Sequence, residues 1–235
     1  MKIGILIAMQ KEFSLIKELL QEEQTLDTNA YKYIIGKIGK HEIILQQCGV
    51  GKVNAAVGTE NLINAFSPDL VLSSGVAGGA SEDVEPLDIV VCENTCYHDV
   101  YCGEDNHFGQ IQGMPPQYHT PKTILSIAKT LHYKQKIHIG QILTGDWFVT
   151  TKEKMQTILS AFPNPKAIDM ETCAIAQTCY IRKTPFISFR IISDNPLKPN
   201  HSQQYKDFWT IMANQSFDVV KQFIEMLPQD KESLS

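Results

Sequence analysis

The chain has 235 residues, 43% hydrophobic and 20% charged, and its 26 acidic and 21 basic side chains give a formal charge of −5. That balance fits a globular fold with a substantial core, and without a basic stripe it excludes a nucleic-acid scaffold. No apolar run approaches the roughly 18 residues a bilayer-spanning helix needs, so no membrane-spanning helix is expected.

The N-terminus reads as a first buried strand. Its apolar stretch is short, meets Gln10, Lys11 and Glu12, and has no small-residue cleavage site of an export signal. The predicted elements begin with a strand at Lys2–Ala8, a helix at Lys11–Glu22, a strand at Glu42–Gln47 and a helix at Lys52–Phe66. Strands at Leu70–Ser74 and Asp88–Cys92, a helix at Pro121–His132 and a strand at Gln141–Leu143 follow. Helices at Lys152–Ala161 and Glu171–Ile181, a strand at Phe186–Ile192 and a helix at Gln204–Met226 complete the series. The last helix carries Phe208, Ile211, Met212 and Gln215 at helical spacing. The strands are continuously apolar, as in sheets covered on both faces. This alternation predicts an α/β fold: three layers, α/β/α, around a central twisted, mixed, largely parallel sheet. No linker divides the chain, so residues 1–235 are expected to form one domain, with a polar tail at 228–235 that frays. Asn94–Tyr118 is the longest irregular stretch, and loops of that length in compact domains usually serve function. A second irregular stretch runs from Asn195 to Gln203.

Six cysteines are too few for a disulfide scaffold, so reduced thiols in the cytoplasm are expected. Cys92, Cys96, His98 and Cys102 match neither usual zinc spacing, and no metal is expected.

Ligands of α/β sheets bind beyond the carboxyl ends of the strands. Those positions hold Met9-Gln-Lys-Glu12, Gln47-Cys-Gly-Val-Gly-Lys52, Ser74-Gly-Val-Ala-Gly-Gly79, Thr144-Gly-Asp-Trp-Phe-Val149 and Ser193-Asp-Asn195. Asp169-Met-Glu171 precedes the penultimate helix. The glycine loops fit neither phosphate-loop nor dinucleotide spacing, so they form either tight turns or places of close ligand approach. Glu12, Glu171 and Asp194 each follow an apolar segment. Any one alone reads as a helix cap, but three at equivalent places point to acid–base chemistry. Burial at the end of an apolar strand would raise the Asp194 pKa. Arg190, in the same strand, requires an anionic partner if buried, with Glu12 or a ligand anion as the candidates.

The ordered set of motifs comprises Ala8-Met-x-x-Glu12, Gly49-Val-Gly-Lys-Val-Asn-Ala-Ala56, Ser74-Gly-Val-Ala-Gly-Gly79, Tyr97-His-Asp99, Gly145-Asp-x-Phe148, Met170-Glu171 and Arg190-x-Ile-Ser-Asp194. From Met1 to about Met226 it resembles the 5′-methylthioadenosine/S-adenosylhomocysteine nucleosidases of the nucleoside phosphorylase superfamily. The resemblance implies a nucleoside phosphorylase-like fold and hydrolysis of an N-glycosidic bond, with no cofactor. By it, Asp194 protonates adenine N7 and Glu12 activates water. Met170 and Glu171 hold the ribose, Glu171 through the 2′ and 3′ hydroxyls. Phe148 stacks on adenine, the Val149 backbone hydrogen-bonds it, and Arg190 lies near the water and Glu12. Val50, Val76, Ala77, Gly78 and Ser193 join the substrate contacts, and Tyr205 supplies an aromatic lid. A small-molecule nucleoside is the implied partner, with no nucleic acid and no membrane. A homodimer is implied too, with the 100–108 loop near the neighbouring subunit's site.

The chain departs from the family at several points. Asp169 stands for a common glutamate, with little effect expected; Trp147 is bulky where a small residue is usual; and Val100–Phe108 replaces an apolar stretch. Two rivals stay open: a futalosine hydrolase-like nucleosidase with another 5′ tail, and a non-catalytic purine-nucleoside binding protein on the same fold. A phosphorylase fits less well, since Glu12 stands where a basic phosphate cradle belongs.

Overall fold

The computed structural model describes residues 1–28, 31–212 and 217–234, apart from the side chains at 211, 212 and 234. Its first elements are β1 (Lys2–Ile7), α1 (Gln10–Lys17), β2 (Gln21–Asp27), β3 (Lys32–Ile38), β4 (His41–Gln47), α2 (Lys52–Phe66) and β5 (Leu70–Gly79). Next come β6 (Ile89–Tyr97), β7 (Tyr118–His119), α3 (Lys122–Ala128), β8 (Ile137–Thr144), α4 (Lys152–Leu159) and β9 (Ala167–Asp169). The chain continues through α5 (Thr172–Arg182), β10 (Phe186–Asp194), α6 (His201–Asp207) and α7 (Asp218–Met226). Among the described residues, no helix is long and apolar enough to cross a membrane.

The sheet is mixed, as expected, and its order of strands adds a closure that the expectation did not include. β5 pairs with β10, β10 with β6, β6 with β8, β8 with β9, and β9 returns to β5, so five strands close a ring. β1, β4, β3 and β2 extend from β5 as an open flank. Closure follows from β10 using both edges: Phe186–Asp194 runs parallel to Val71–Gly78, while Phe189–Ile191 runs antiparallel to Ile89–Val91. The sheet is also not largely parallel. Five pairings are parallel, and the hairpins around β3, the β6–β7 pair and the short β9 contribute antiparallel ones.

Alternate residues of the strands feed two apolar layers. Ile3, Ile5 and Ile7 pack with Val219, Val220 and Phe223 of α7, whereas Leu6, Ile44 and Val71 pack with Leu62 of α2 and Ile175 of α5. A third cluster places Met155 and Ile158 of α4 against Leu143 and Ile168.

The first and last predicted helices differ locally from the sequence expectation. The first helix stops at Lys17, and Gln21–Asp27 turns back as an edge strand exposed at every position. The predicted last helix is divided into α6, a π-helical turn at Phe208–Met212, and α7. Phe208 is buried there, while Gln215 and the side chains of Ile211 and Met212 lie outside the described residues. Within the tail, Lys231–Leu234 forms a short 3-10 turn, and the Met1 amine donates to the Gln229 carbonyl at 2.8 Å. All six cysteines are free, and Cys92 is a buried core residue of β6.

Candidate active site

One edge of β5 changes partner midway. β1 pairs with Leu70–Ser73 and β9 with Gly78–Gly79, which leaves Ser74–Ala77 without a strand on that side. The backbone there is free to bond side chains. A cleft of about 650 Å³, mouth included, opens at this seam. Val76, Ala77 and Gly78 line it from β5, Ser193 and Asp194 from the end of β10, and Glu12 from α1. Val50, Phe148, Val149, Met170, Glu171 and Tyr205 line it from the surrounding loops and α6. Arg190 lines a small recess that shares the Glu12 and Glu171 walls. The sequence-predicted residues are thus brought together, with Arg190 behind the others.

Glu12 is 2% exposed, and both of its oxygens are engaged. Oε2 accepts from the Met9 amide at 3.0 Å, half of a capping box for α1, and Oε1 accepts from the Val76 amide at 2.8 Å. Burial pushes this carboxyl above the usual range, against the pull of the Val76 amide and Arg190. Glu12 therefore caps its helix and faces the cleft at once. A Cβ at Gly75 would come within 2.9 Å of Glu12 Oε1 and 3.2 Å of Arg190 Nη1, so this position needs glycine for the two side chains to converge.

Glu171 does not cap α5. Its Oε1 accepts from the Gly51 amide at 2.9 Å, and Gly51 has φ +94°, a conformation that favours glycine. Burial, reinforced by repulsion from Asp169, lifts the Glu171 carboxyl to about 7. The cap of α5 is Asp169, which accepts from the amides of Glu171 and Thr172 at 3.3 Å.

Asp169 is also the anion Arg190 requires, with Nε donating to Oδ2 at 2.7 Å. Glu12, the candidate within the chain, does not fill that place. Arg190 Nη2 donates to Ser73 Oγ at 3.0 Å, while Nη1 and Ser74 Oγ have no partner among the described residues. The sequence did hold a signal for Asp169: a buried arginine four residues before Asp194 and a second acid beside Glu171.

Asp194 is 8% exposed. Burial raises its pKa, against a 2.7 Å hydrogen bond from Ser193 Oγ to Oδ1 and His201, whose Nδ1 lies 3.7 Å from Oδ2. A carboxyl held in that way keeps its proton to higher pH than a free one. Phe148, 59% exposed, meets Tyr205 edge-on with ring centroids 5.7 Å apart, so two aromatic faces flank the cleft mouth. Trp147 also lines the cleft, with Lys154 Nζ 3.8 Å from its ring centre.

The two loops at the cleft are buckled together. Lys52 Nζ donates to Asp99 Oδ2 at 2.8 Å, Asp99 accepts from the Asp146 amide at 2.8 Å, and Asp146 Oδ1 accepts from the Lys52 amide at 2.8 Å. This closed circuit gives the Tyr97-His-Asp99 and Gly145-Asp motifs a positioning role for Phe148 and Gly51. Farther out, Glu104, Asp105 and His107 face solvent beside exposed Tyr101 and Phe108.

The chain matches the Phosphorylase superfamily over residues 2–225. It is 33% identical over 232 residues to a 5′-methylthioadenosine/S-adenosylhomocysteine nucleosidase of Desulfotalea psychrophila, covering 97% of this chain and 99% of that one. An S-adenosylhomocysteine nucleosidase of Streptococcus pyogenes, solved with 5-methylthiotubericidin, superposes with a TM-score of 0.91 at 34% identity, covering 97% of this chain and 98% of that one. A 5′-methylthioadenosine/S-adenosylhomocysteine nucleosidase of Streptococcus pneumoniae, solved with a transition-state inhibitor, gives a TM-score of 0.90 at 29% identity, covering 97% and 100%.

Proposed function

The chain belongs to the 5′-methylthioadenosine/S-adenosylhomocysteine nucleosidases of the phosphorylase superfamily, and from that premise we propose that it hydrolyses the N-glycosidic bond of both nucleosides to adenine and the 5′-thio-substituted ribose. The observation that carries this reading is the lining of one cleft by a doubly hydrogen-bonded buried carboxylate, Glu12, and a buried acid, Asp194. A binding protein needs no such pair.

The base lies against Phe148, with the Val149 backbone at its edge. Asp194 gives its proton to N7, and the base departs with the bonding electrons. Glu12, its basicity raised by burial, takes a proton from the attacking water. Arg190 lies behind that water, its Nη1 without a partner among the described residues. Met170 and Glu171 hold the ribose, and the Glu171 charge favours the cationic ribosyl transition state. Val50, Val76, Ala77, Gly78, Ser193 and Tyr205 shape the remaining walls.

No metal or cofactor enters this scheme. The working form is read as one cytoplasmic domain assembled into a homodimer. Its exposed Tyr101 and Phe108 support a place for the 100–108 loop near the neighbouring subunit's site. The solvent-facing charges of that loop favour a mouth open to the homocysteine tail, so the two substrates should differ by roughly tenfold rather than exclude one another.

Adenine release in phosphate-free buffer tests the reaction. Free ribose products and no acceleration by phosphate are expected; a strict phosphate requirement would replace hydrolysis with phosphorolysis. Futalosine-type nucleosides in the same panel address the tail.

A further inference from the structure

Each cycle leaves Asp194 without its proton, in a side chain only 11% exposed. Its Oδ1 is held by Ser193 Oγ, a hydroxyl that stores no proton at neutral pH. Its Oδ2 faces His201 Nδ1 at 3.7 Å. His201 starts α6 with its side chain 20% exposed, so the imidazole meets the buried acid while remaining in reach of solvent. An imidazole is the side chain whose ordinary titration range suits proton exchange with water at neutral pH.

We propose that His201 is the relay that returns a proton to Asp194 after each turnover, a role that rests on the hydrolytic reading above. In the forward step the Asp194 carboxyl proton goes to base N7 and the C1′–N9 electron pair leaves with the base. The water oxygen bonds to C1′ and loses a proton to Glu12. The Nδ1 proton of the His201 imidazolium then passes to Asp194 Oδ2, the neutral imidazole takes a fresh proton from bulk water, and Glu12 returns its own to bulk water, so that both carboxyls are reset. A separation of 3.7 Å is ion-pair range, so transfer follows a small swing of the ring or crosses one bridging water.

The surrounding charges leave this couple in place. On the flanking turn Lys198 pairs with Glu85; on α6 itself, Asp207 accepts from Gln203 and Lys206 lies one residue before it. The helix has anchors besides His201. Gln204 Oε1 accepts from the Asn195 amide at 3.1 Å, and Tyr205 packs on Phe148. Replacing His201 therefore leaves the lid attached.

The test is steady-state hydrolysis of methylthioadenosine by wild type, His201→Ala and His201→Gln. In both variants kcat should fall about tenfold, less than the roughly 10²–10⁴ of a group that touches substrate, with KM within about twofold. Added imidazole should restore kcat in His201→Ala in a saturable way, and should do nothing for Asp194→Asn. An unchanged kcat, a loss confined to KM, or a loss that ignores imidazole would each overturn the relay. A wild type that releases no adenine would overturn the hydrolytic reading and the relay together, whereas an active wild type with equally active variants overturns the relay alone.

Discussion

Arg190 and Asp169 form a buried ion pair beneath the cleft, Nε to Oδ2 at 2.7 Å. The same carboxylate accepts from the Thr144 hydroxyl at 2.6 Å and from the Thr172 hydroxyl, so one side chain joins the ends of β8 and β9, the start of α5 and the middle of β10. Asp169 thus sits at a structural hub.

Asp169→Ala should destabilise the protein strongly, because it leaves the Arg190 charge buried and unpaired. Removing one partner of a buried pair costs about 3–5 kcal/mol. Urea denaturation reads this directly. A loss below about 1 kcal/mol would mean that Arg190 finds another anion, with Glu171 and Glu12 the candidates.

Glu12→Gln should reduce kcat far more than it changes KM. The amide accepts no proton from water. It also cannot satisfy both backbone donors, since its NH₂ would face either the Met9 or the Val76 amide. A stability loss of about 1–3 kcal/mol should accompany the kinetic defect. Stopped substrate-analogue binding with kcat intact would make Glu12 a binding group instead.

Asp194→Asn should fold normally and lose about 10²–10⁴-fold in kcat for adenine nucleosides. An amide hydrogen-bonds the base but donates no carboxyl proton. Near-wild-type turnover of the purified variant would end the assignment.

The pH dependence of stability should carry the mark of Glu171. Its pKa in the fold, about 7, lies above the unfolded value of 4.5, so the folded state holds the proton more tightly. Stability from this group is full below about pH 4.5 and is lost as pH rises through about 7. Glu12 and Asp194 are raised in the same direction and add the same sign. Glu171→Gln should therefore gain on wild type as pH is raised from 5 toward 8, followed by denaturant midpoints at roughly unit pH steps. Parallel curves for the two proteins would contradict this.

Much of the centre of this fold was legible because β1, β4, β5 and β10 each carry a short apolar run buried on both faces. β2 was not, because Gln21–Asp27 is a polar edge with no buried side to impose alternation. Ring closure was invisible for a different reason: apolar content does not reveal that β10 spends one edge on β5 and the other on β6. The three carboxylates stood out by their places after apolar segments. Their division of labour did not, since Asp169 and Glu171 are two residues apart and only the turn into α5 sends one to Arg190 and the other to Gly51. The residue roles came from the family resemblance.

Ring closure sets an order on how the protein is born. Val71 pairs with Phe186 and Gly78 with Asp194, segments more than a hundred residues apart. As the chain leaves the ribosome, β1, β4 and β5 can associate early, yet β5 keeps a bare edge until β10 emerges. A nascent chain stalled before Phe186 already holds Glu12 but has neither Arg190 nor Asp194, and it offers that edge to any neighbour able to add a strand.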